Sequence, residues 1–185
     1  MQHQTTCSLS ERTLVEPIVY LGSKTPVLEQ NSAAVLIPNR QRPVVLTVAP
    51  GEITRLEIQV NLSASGYALY AASTVRQALE LAEQATLDVI VLDLDERYEA
   101  GWEGVMISGF RLLQLLRRVT SDRPVALVVM TGLDYAEVEG VLHSSADALV
   151  NKPLLAEQLS GRLRAALERV RRRVQQSACL PDVLC

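Results

Sequence analysis

The run DVIVLDLDER, residues 88–97, carries apolar side chains into two carboxylates, Asp93 and Asp95. Alternation along a strand puts both on one side. Carboxylates that close repel and shift each other's titration. Such a pair suits a cation, a phosphoryl group or a helix cap. Two further apolar runs also end on polar groups. PVALVVMTG (124–132) brings the hydroxyl of Thr131, and ALVNKPL (148–154) brings the ammonium of Lys152. A carboxylate can attack as a nucleophile, a hydroxyl can bond a phosphoryl oxygen, and a lysine can neutralise charge. Together they suit phosphoryl chemistry. Of 18 basic residues only Lys24 and Lys152 are lysines, and lysine offers a compact point charge that arginine does not. The plain alternative is a surface lysine beside a proline turn.

These groups converge only if the runs that carry them lie side by side. From Pro43 onward, strands are expected over 43–50, 67–73, 87–95, 124–132 and 148–154. Helices are expected between them, over 52–66, 75–84, 108–119 and 135–146, and a long one from 155 to 176. The first shows Ile53, Leu56, Val60 and Leu62 near helical spacing, with Gly66 as a stop. The second carries Val75, Ala78, Leu79 and Ala82 behind a Ser73 or Thr74 cap. The third sets Phe110, Leu113 and Leu116 on one side. The last repeats Leu155, Leu159, Leu163, Ala166, Leu167, Val170 and Val174. Uniformly apolar strands alternating with helices predict an α/β fold: a doubly wound, five-stranded parallel sheet covered on both faces. In such a sheet, sites form at the carboxyl ends of the strands.

The 185 residues fit one domain with tails. The expected division is an N-terminal extension over 1–42, the α/β domain over 43–170, and the end of the last helix with a short tail over 171–185. Aromatics make up only 4%, so the core is aliphatic. A net charge of −3 gives no pull toward nucleic acid or an anionic membrane. No apolar run nears the roughly 18 residues of a span, and MQHQTTCSLSERT lacks the pattern of a secretory signal. A cytoplasmic protein is expected. Cys7, Cys179 and Cys185 are odd in number and confined to the tails, with no metal-ligand spacing. Arg171, Arg172 and Arg173 suit the end of a helix. The segment after it is too short for a DNA-binding domain, so output is expected through protein contacts, with the last helix as a docking or dimerising face.

The order and spacing of these motifs resemble the receiver domain of two-component response regulators (CheY-like, flavodoxin-like fold) over about residues 43–170. The strand ending at Asp93 is similar to the phosphoacceptor strand, VVMTG to the strand with the switch hydroxyl, and LVNKPL to the Lys-Pro strand. SASGYALYAAS with VRQALELAEQATLDVIVLDL, and HSSADALVNKP, match the family's run of elements. The resemblance implies that Asp93 accepts a phosphoryl group from a histidine kinase or phosphotransfer protein, that Thr131 turns inward to bond it, and that Lys152 pairs with it. It further implies a Mg²⁺ held by Asp93, by an acidic residue after the first strand, and by the backbone carbonyl at Asp95.

The pattern departs from the family in three places. Ala49 and Pro50 stand where the acidic pair is expected, which weakens a Mg²⁺ site. Leu149 stands where an aromatic partner of the switch hydroxyl is expected. The loop ERYEAGWEGVMI (96–107) is several residues longer and holds Trp102. Asp93, Asp95, Glu96, Glu99 and Glu103 cluster around it, as a replacement cation site, a partner contact or a solvated acidic loop. In particular, the Asp95 side chain is a candidate stand-in for the missing carboxylates. The string DLDER also resembles the opening motif of haloacid-dehalogenase-like phosphohydrolases, with Asp93 and Asp95 as its carboxylates. Against that stand Arg97, the lack of an acidic strand end after Lys152, and two strands preceding the motif. The reading adopted is a stand-alone atypical receiver, or pseudo-receiver. It is not an enzyme, it signals to a downstream protein target by contact, and phosphorylation at Asp93 is left open, with the phosphorylation-independent form favoured.

Overall fold

The computed structural model describes residues 42–101, 104–134, 138, 140 and 145–178. The extension up to residue 41, Trp102, Glu103, the three cysteines and most of the helix expected over 135–146 lie outside these residues. In chain order the elements are β1 (Val44–Val48), α1 (Glu52–Ala64), β2 (Ala68–Ala72), α2 (Val75–Gln84), β3 (Val89–Asp93), β4 (Arg97–Glu99), β5 (Met106–Ser108), α3 (Gly109–Val119), β6 (Ala126–Thr131), β7 (Ala148–Asn151) and α4 (Ala156–Ala178). The main sheet runs β2-β1-β3-β6-β7, with every pair parallel. This is the expected doubly wound, flavodoxin-like arrangement.

The strands read as unbroken apolar runs because both faces are covered. Leu46, Val48, Ile90, Leu92, Leu127 and Val129 share one core with the inner sides of α2 and α3. Their alternates Val45, Val89, Val91, Val128, Met130 and Val150 share the other with α1 and α4. The two-residue period sends each strand's side chains to opposite layers, and Asp93 falls in the row of Val89 and Val91. Thr74 caps α2 by accepting from the Gln77 N–H, and the Gln77 side chain reaches back to the Ser73 N–H at 3.0 Å. That exchange stops the chain from fraying where β2 enters the helix. Gly66 ends α1 at φ 81, a left-handed conformation that glycine adopts without strain.

Two expectations need correction. Ile53, Leu56 and Val60 of α1 are exposed, and Ile58 with Leu62 supplies the buried side. The segment carries apolar residues on two sides of the helix, so spacing alone does not say which row meets the sheet. Ile58 and Leu62 stand one turn apart and join Val45, Tyr67 and Leu163 in the core. The segment 96–107 is also more ordered than a loop. β4 and β5 pair as an antiparallel hairpin, Tyr98 opposite Ile107, with Tyr98 fully buried between exposed Arg97 and Glu99. In α4 the stripe is buried from Leu159 to Val170, while Leu155 and Val174 are exposed.

Asp147 fastens the outer strand. Its Oδ2 accepts from the Leu127 N–H and from Arg117, both at 2.8 Å, and its Oδ1 accepts from Arg173 at 2.7 Å. One buried carboxylate thus ties the start of β7 to β6, α3 and α4. Burial raises its pKa, but the Leu127 N–H and the two guanidinium groups together hold it below 3.8. A depressed folded pKa gives stability that is present above the ordinary value and is lost as pH falls through the folded one. Asp147→Ala is therefore expected to cost on the order of 3 kcal/mol at neutral pH, the usual scale for breaking a buried pair. Urea titrations across the acid range check this: the gap between wild type and variant should narrow as pH drops below 3.8.

Candidate functional site

Strands β3, β6 and β7 are neighbours in the sheet, so their carboxyl ends meet. Asp93 lies opposite Met130, and Thr131 lies opposite Asn151. The Lys152 N–H donates to the Thr131 carbonyl at 2.9 Å, which carries the β7 ladder one residue further. The Lys152 side chain then reaches across the end of β6, placing Nζ 2.6 Å from Asp93 Oδ1 and 3.2 Å from Asp95 Oδ2. The structure therefore brings together Asp93, Asp95, Thr131 and Lys152, all four residues singled out in the sequence.

Their environments differ. Asp93 is fully buried. Its Oδ1 takes the Lys152 ammonium and the Asp95 N–H at 3.3 Å. Its Oδ2 has no hydrogen-bond partner among the described residues. Asp95 receives the Thr131 hydroxyl on Oδ1 and the Gly132 N–H on Oδ2 at 2.8 Å. Burial raises the Asp95 pKa, but the Thr131 hydroxyl, the Gly132 N–H and Lys152 more than offset it and hold the carboxyl below its ordinary value. Burial lowers that of Lys152, and the bonds and charges of Asp93 and Asp95 carry it above its ordinary value. Both groups are charged at neutral pH.

Three supports were missed in the sequence. Tyr98 projects from the hairpin beneath the site, and its hydroxyl donates to the Asp93 carbonyl at 2.6 Å with the Val48 carbonyl also in reach at 3.1 Å. It bridges the ends of β1 and β3. An alternation of charge, aromatic and charge in Arg97-Tyr98-Glu99 was the available signal. Arg55 of α1 donates to the carbonyls of Ala49 and Pro50, both at 2.7 Å. A cation near a helix N-terminus opposes the macrodipole, so its presence there needed a reason. Gly109 lets α3 start against the strand end: a Cβ there would collide with the backbone of Leu94 and Asp93.

The donor set can be tested against Mg²⁺, which takes hard oxygen ligands in near-octahedral geometry. Asp93 Oδ2 is available. The Asp95 carboxylate, the candidate stand-in, is instead engaged by Thr131, Gly132 and Lys152. The carbonyls of Ala49 and Pro50 accept from a guanidinium, a fixed positive charge at the end of β1. Among the described residues no group of three or more His, Cys, Asp or Glu could hold a metal. With the end of β1 lacking carboxylates and the Asp95 side chain engaged, the expected set is reduced to Asp93 and the Asp95 backbone carbonyl, and the side chains present do not fit Mg²⁺.

No family model matches the chain. It is 31% identical over 129 residues to the DNA-binding dual master transcriptional regulator RpaA of Synechocystis sp., a match covering 69% of this chain and 49% of that protein. The chain spans about half the length of the curated relatives it matches. It superposes on the chemotaxis protein CheY4 of Vibrio cholerae with a TM-score of 0.59 at 22% identity, covering 68% of this chain and 98% of the other. A response regulator of Burkholderia pseudomallei, solved with a phosphorylated aspartic acid, a calcium ion and citrate, gives 0.54 at 23% identity, with 77% of each chain covered. The matched stretch has the fold of a CheY-like receiver domain and is similar in sequence to curated response regulators. Among the described residues no helix is long and apolar enough to cross a membrane.

Tyr98→Phe tests the support beneath the site. The ring keeps its packing and the hydroxyl is lost, so the variant should fold with stability reduced by about 1 kcal/mol. Urea titration reads the loss. Backbone amide shifts at Asp93 and Leu94 should move, while those in β2 and α2 should not.

Proposed function

We propose that this chain is an atypical receiver, or pseudo-receiver, that passes a signal within a two-component or derived pathway by protein–protein contact. Asp93 is at best a poor phosphoacceptor in it. The convergence of Asp93, Thr131 and Lys152 supports the receiver reading, because a nucleophilic carboxylate, a hydroxyl and an ammonium are what a phosphoryl group would need. The end of β1 carries the second half. Arg55 sits on the Ala49 and Pro50 carbonyls where acidic ligands would hold a cation. Phosphoryl transfer depends on a metal to neutralise charge between reacting anions, and this donor set lacks the ligands for one. The protein acts as a signalling module and turns over no substrate.

The partners that follow are a histidine kinase or phosphotransfer protein on the input side and a protein target on the output side. α4 offers a docking or dimerising surface, since its last turns run past the buried stripe into exposed Arg171, Arg172, Arg173 and Val174. The haloacid-dehalogenase-like alternative needs the second aspartate free to exchange protons with a substrate, and Asp95 is engaged by three donors.

The test is direct. Acetyl phosphate or phosphoramidate with Mg²⁺ should leave the intact mass unchanged over hours. A phosphoryl adduct on wild type that is absent from Asp93→Asn would overturn the poor-acceptor assignment. Steady turnover of a phosphomonoester, abolished by the same substitution, would restore the phosphohydrolase reading.

A further inference from the structure

Three donors of different chemistry meet above the ends of β6 and β7: the Thr131 hydroxyl, the Gly132 N–H and the Lys152 ammonium. Such convergence makes a seat for an oxyanion. Here the seat is taken, and its occupant belongs to the chain. One carboxylate oxygen of Asp95 takes the Thr131 hydroxyl. The other takes the Gly132 N–H at 2.8 Å and the Lys152 ammonium at 3.2 Å.

The backbone delivers this carboxylate from a segment pinned on both sides. Before it, Leu94 is buried and its N–H donates to the Met130 carbonyl at 2.8 Å, while the Asp95 N–H donates to Asp93 Oδ1. After it, the Gly109 N–H donates to the Glu96 carbonyl at 3.0 Å, and Tyr98 is fully buried with its hydroxyl on the Asp93 carbonyl. A ligand held in place by the fold has already lost the freedom that a diffusing one must give up on binding.

We propose that Asp95 is the resident anion of this cradle. Its carboxylate takes the place of a phosphoryl group and holds Thr131 and Lys152 in an anion-bound arrangement without covalent modification. The identity of the cradle rests on the receiver reading above. It follows that wild type has no open seat for phosphate. Removing the carboxylate opens a seat for a tetrahedral oxyanion, lined by Thr131, Gly132 and Lys152.

Inorganic phosphate, titrated at constant ionic strength and followed through the Gly132 and Leu133 amides by NMR, tests this. Wild type should show no saturable shift. Asp95→Ala should show one. Asp95→Ala combined with Lys152→Met should lose it. A folded Asp95→Ala that fails to saturate, a wild type that saturates at the same concentration, or a double variant that still binds would each overturn the proposal. Asp95→Asn preserves the side-chain volume and guards against misfolding of the alanine variant. In it the Gly132 amide proton should move upfield as the charged acceptor is lost, and an unmoved signal counts against the assignment. The titration reads the seat and not the chemistry of Asp93. An acyl-phosphate adduct on wild type would overturn the poor-acceptor reading and the occupied seat together, whereas saturation of wild type by phosphate with no adduct would overturn the occupied seat alone.

Discussion

A carboxylate with no exposed surface is costly, and at Asp93 the cost is met chiefly by one lysine. Removing an ion from water costs several kcal/mol even after relaxation, and a partner repays this only when the geometry is good. Lys152 supplies that geometry at 2.6 Å. To do so it must leave β7, pass the end of β6 and reach the end of β3. The pairing therefore depends on the strand order and on β7 ending in register with Thr131. The same ammonium also reaches Asp95, so a single cation contacts both carboxylates.

Around that pairing the receiver fold is retained while the chemistry of one edge is changed. The apolar rows, the helix caps and the close start of α3 at Gly109 keep the ends of β3, β6 and β7 together. The end of β1 carries a different content. Ala49 is buried without a ligand side chain, Arg55 takes the nearby carbonyls, and Tyr98 ties the ends of β1 and β3 from below. Where the family resemblance would place carboxylates around a cation, this structure places a guanidinium and a phenol.

The parts legible in the sequence were those written as strand ends. Asp93, Thr131 and Lys152 each close an apolar run, and parallel order brings such ends together. The parts that were not legible depend on a choice between equivalent patterns. In α1 two apolar rows compete, and the row that packs is decided by contact with Tyr67 and Leu163, residues far along the chain. The segment 96–107 looked like an acidic loop because its charges outnumber Tyr98, its buried anchor among the described residues. Arg55 left no trace beyond an unfavourable place near a helix start. Asp95 was recognised as a carboxylate on the correct side, but its partners are a hydroxyl and an N–H some 36 and 37 residues away, which no local spacing encodes.

Charge accounts for why the modified edge and the engaged Asp95 belong together. Two carboxylates share one ammonium at the site, so it is already anionic. A phosphoryl group on Asp93 would replace that carboxylate with about two negative charges, next to the carboxylate of Asp95. In a site with acidic ligands a divalent cation would absorb this excess. Here the end of β1 holds a guanidinium bonded to main-chain oxygens, in place of the carboxylates that would hold such a cation. Loss of the acidic pair alone would leave the Thr131, Gly132 and Lys152 donors pointing at an empty seat. In the proposed reading, a carboxylate at position 95 fills that seat, satisfies all three, and adds repulsion against an incoming phosphoryl group.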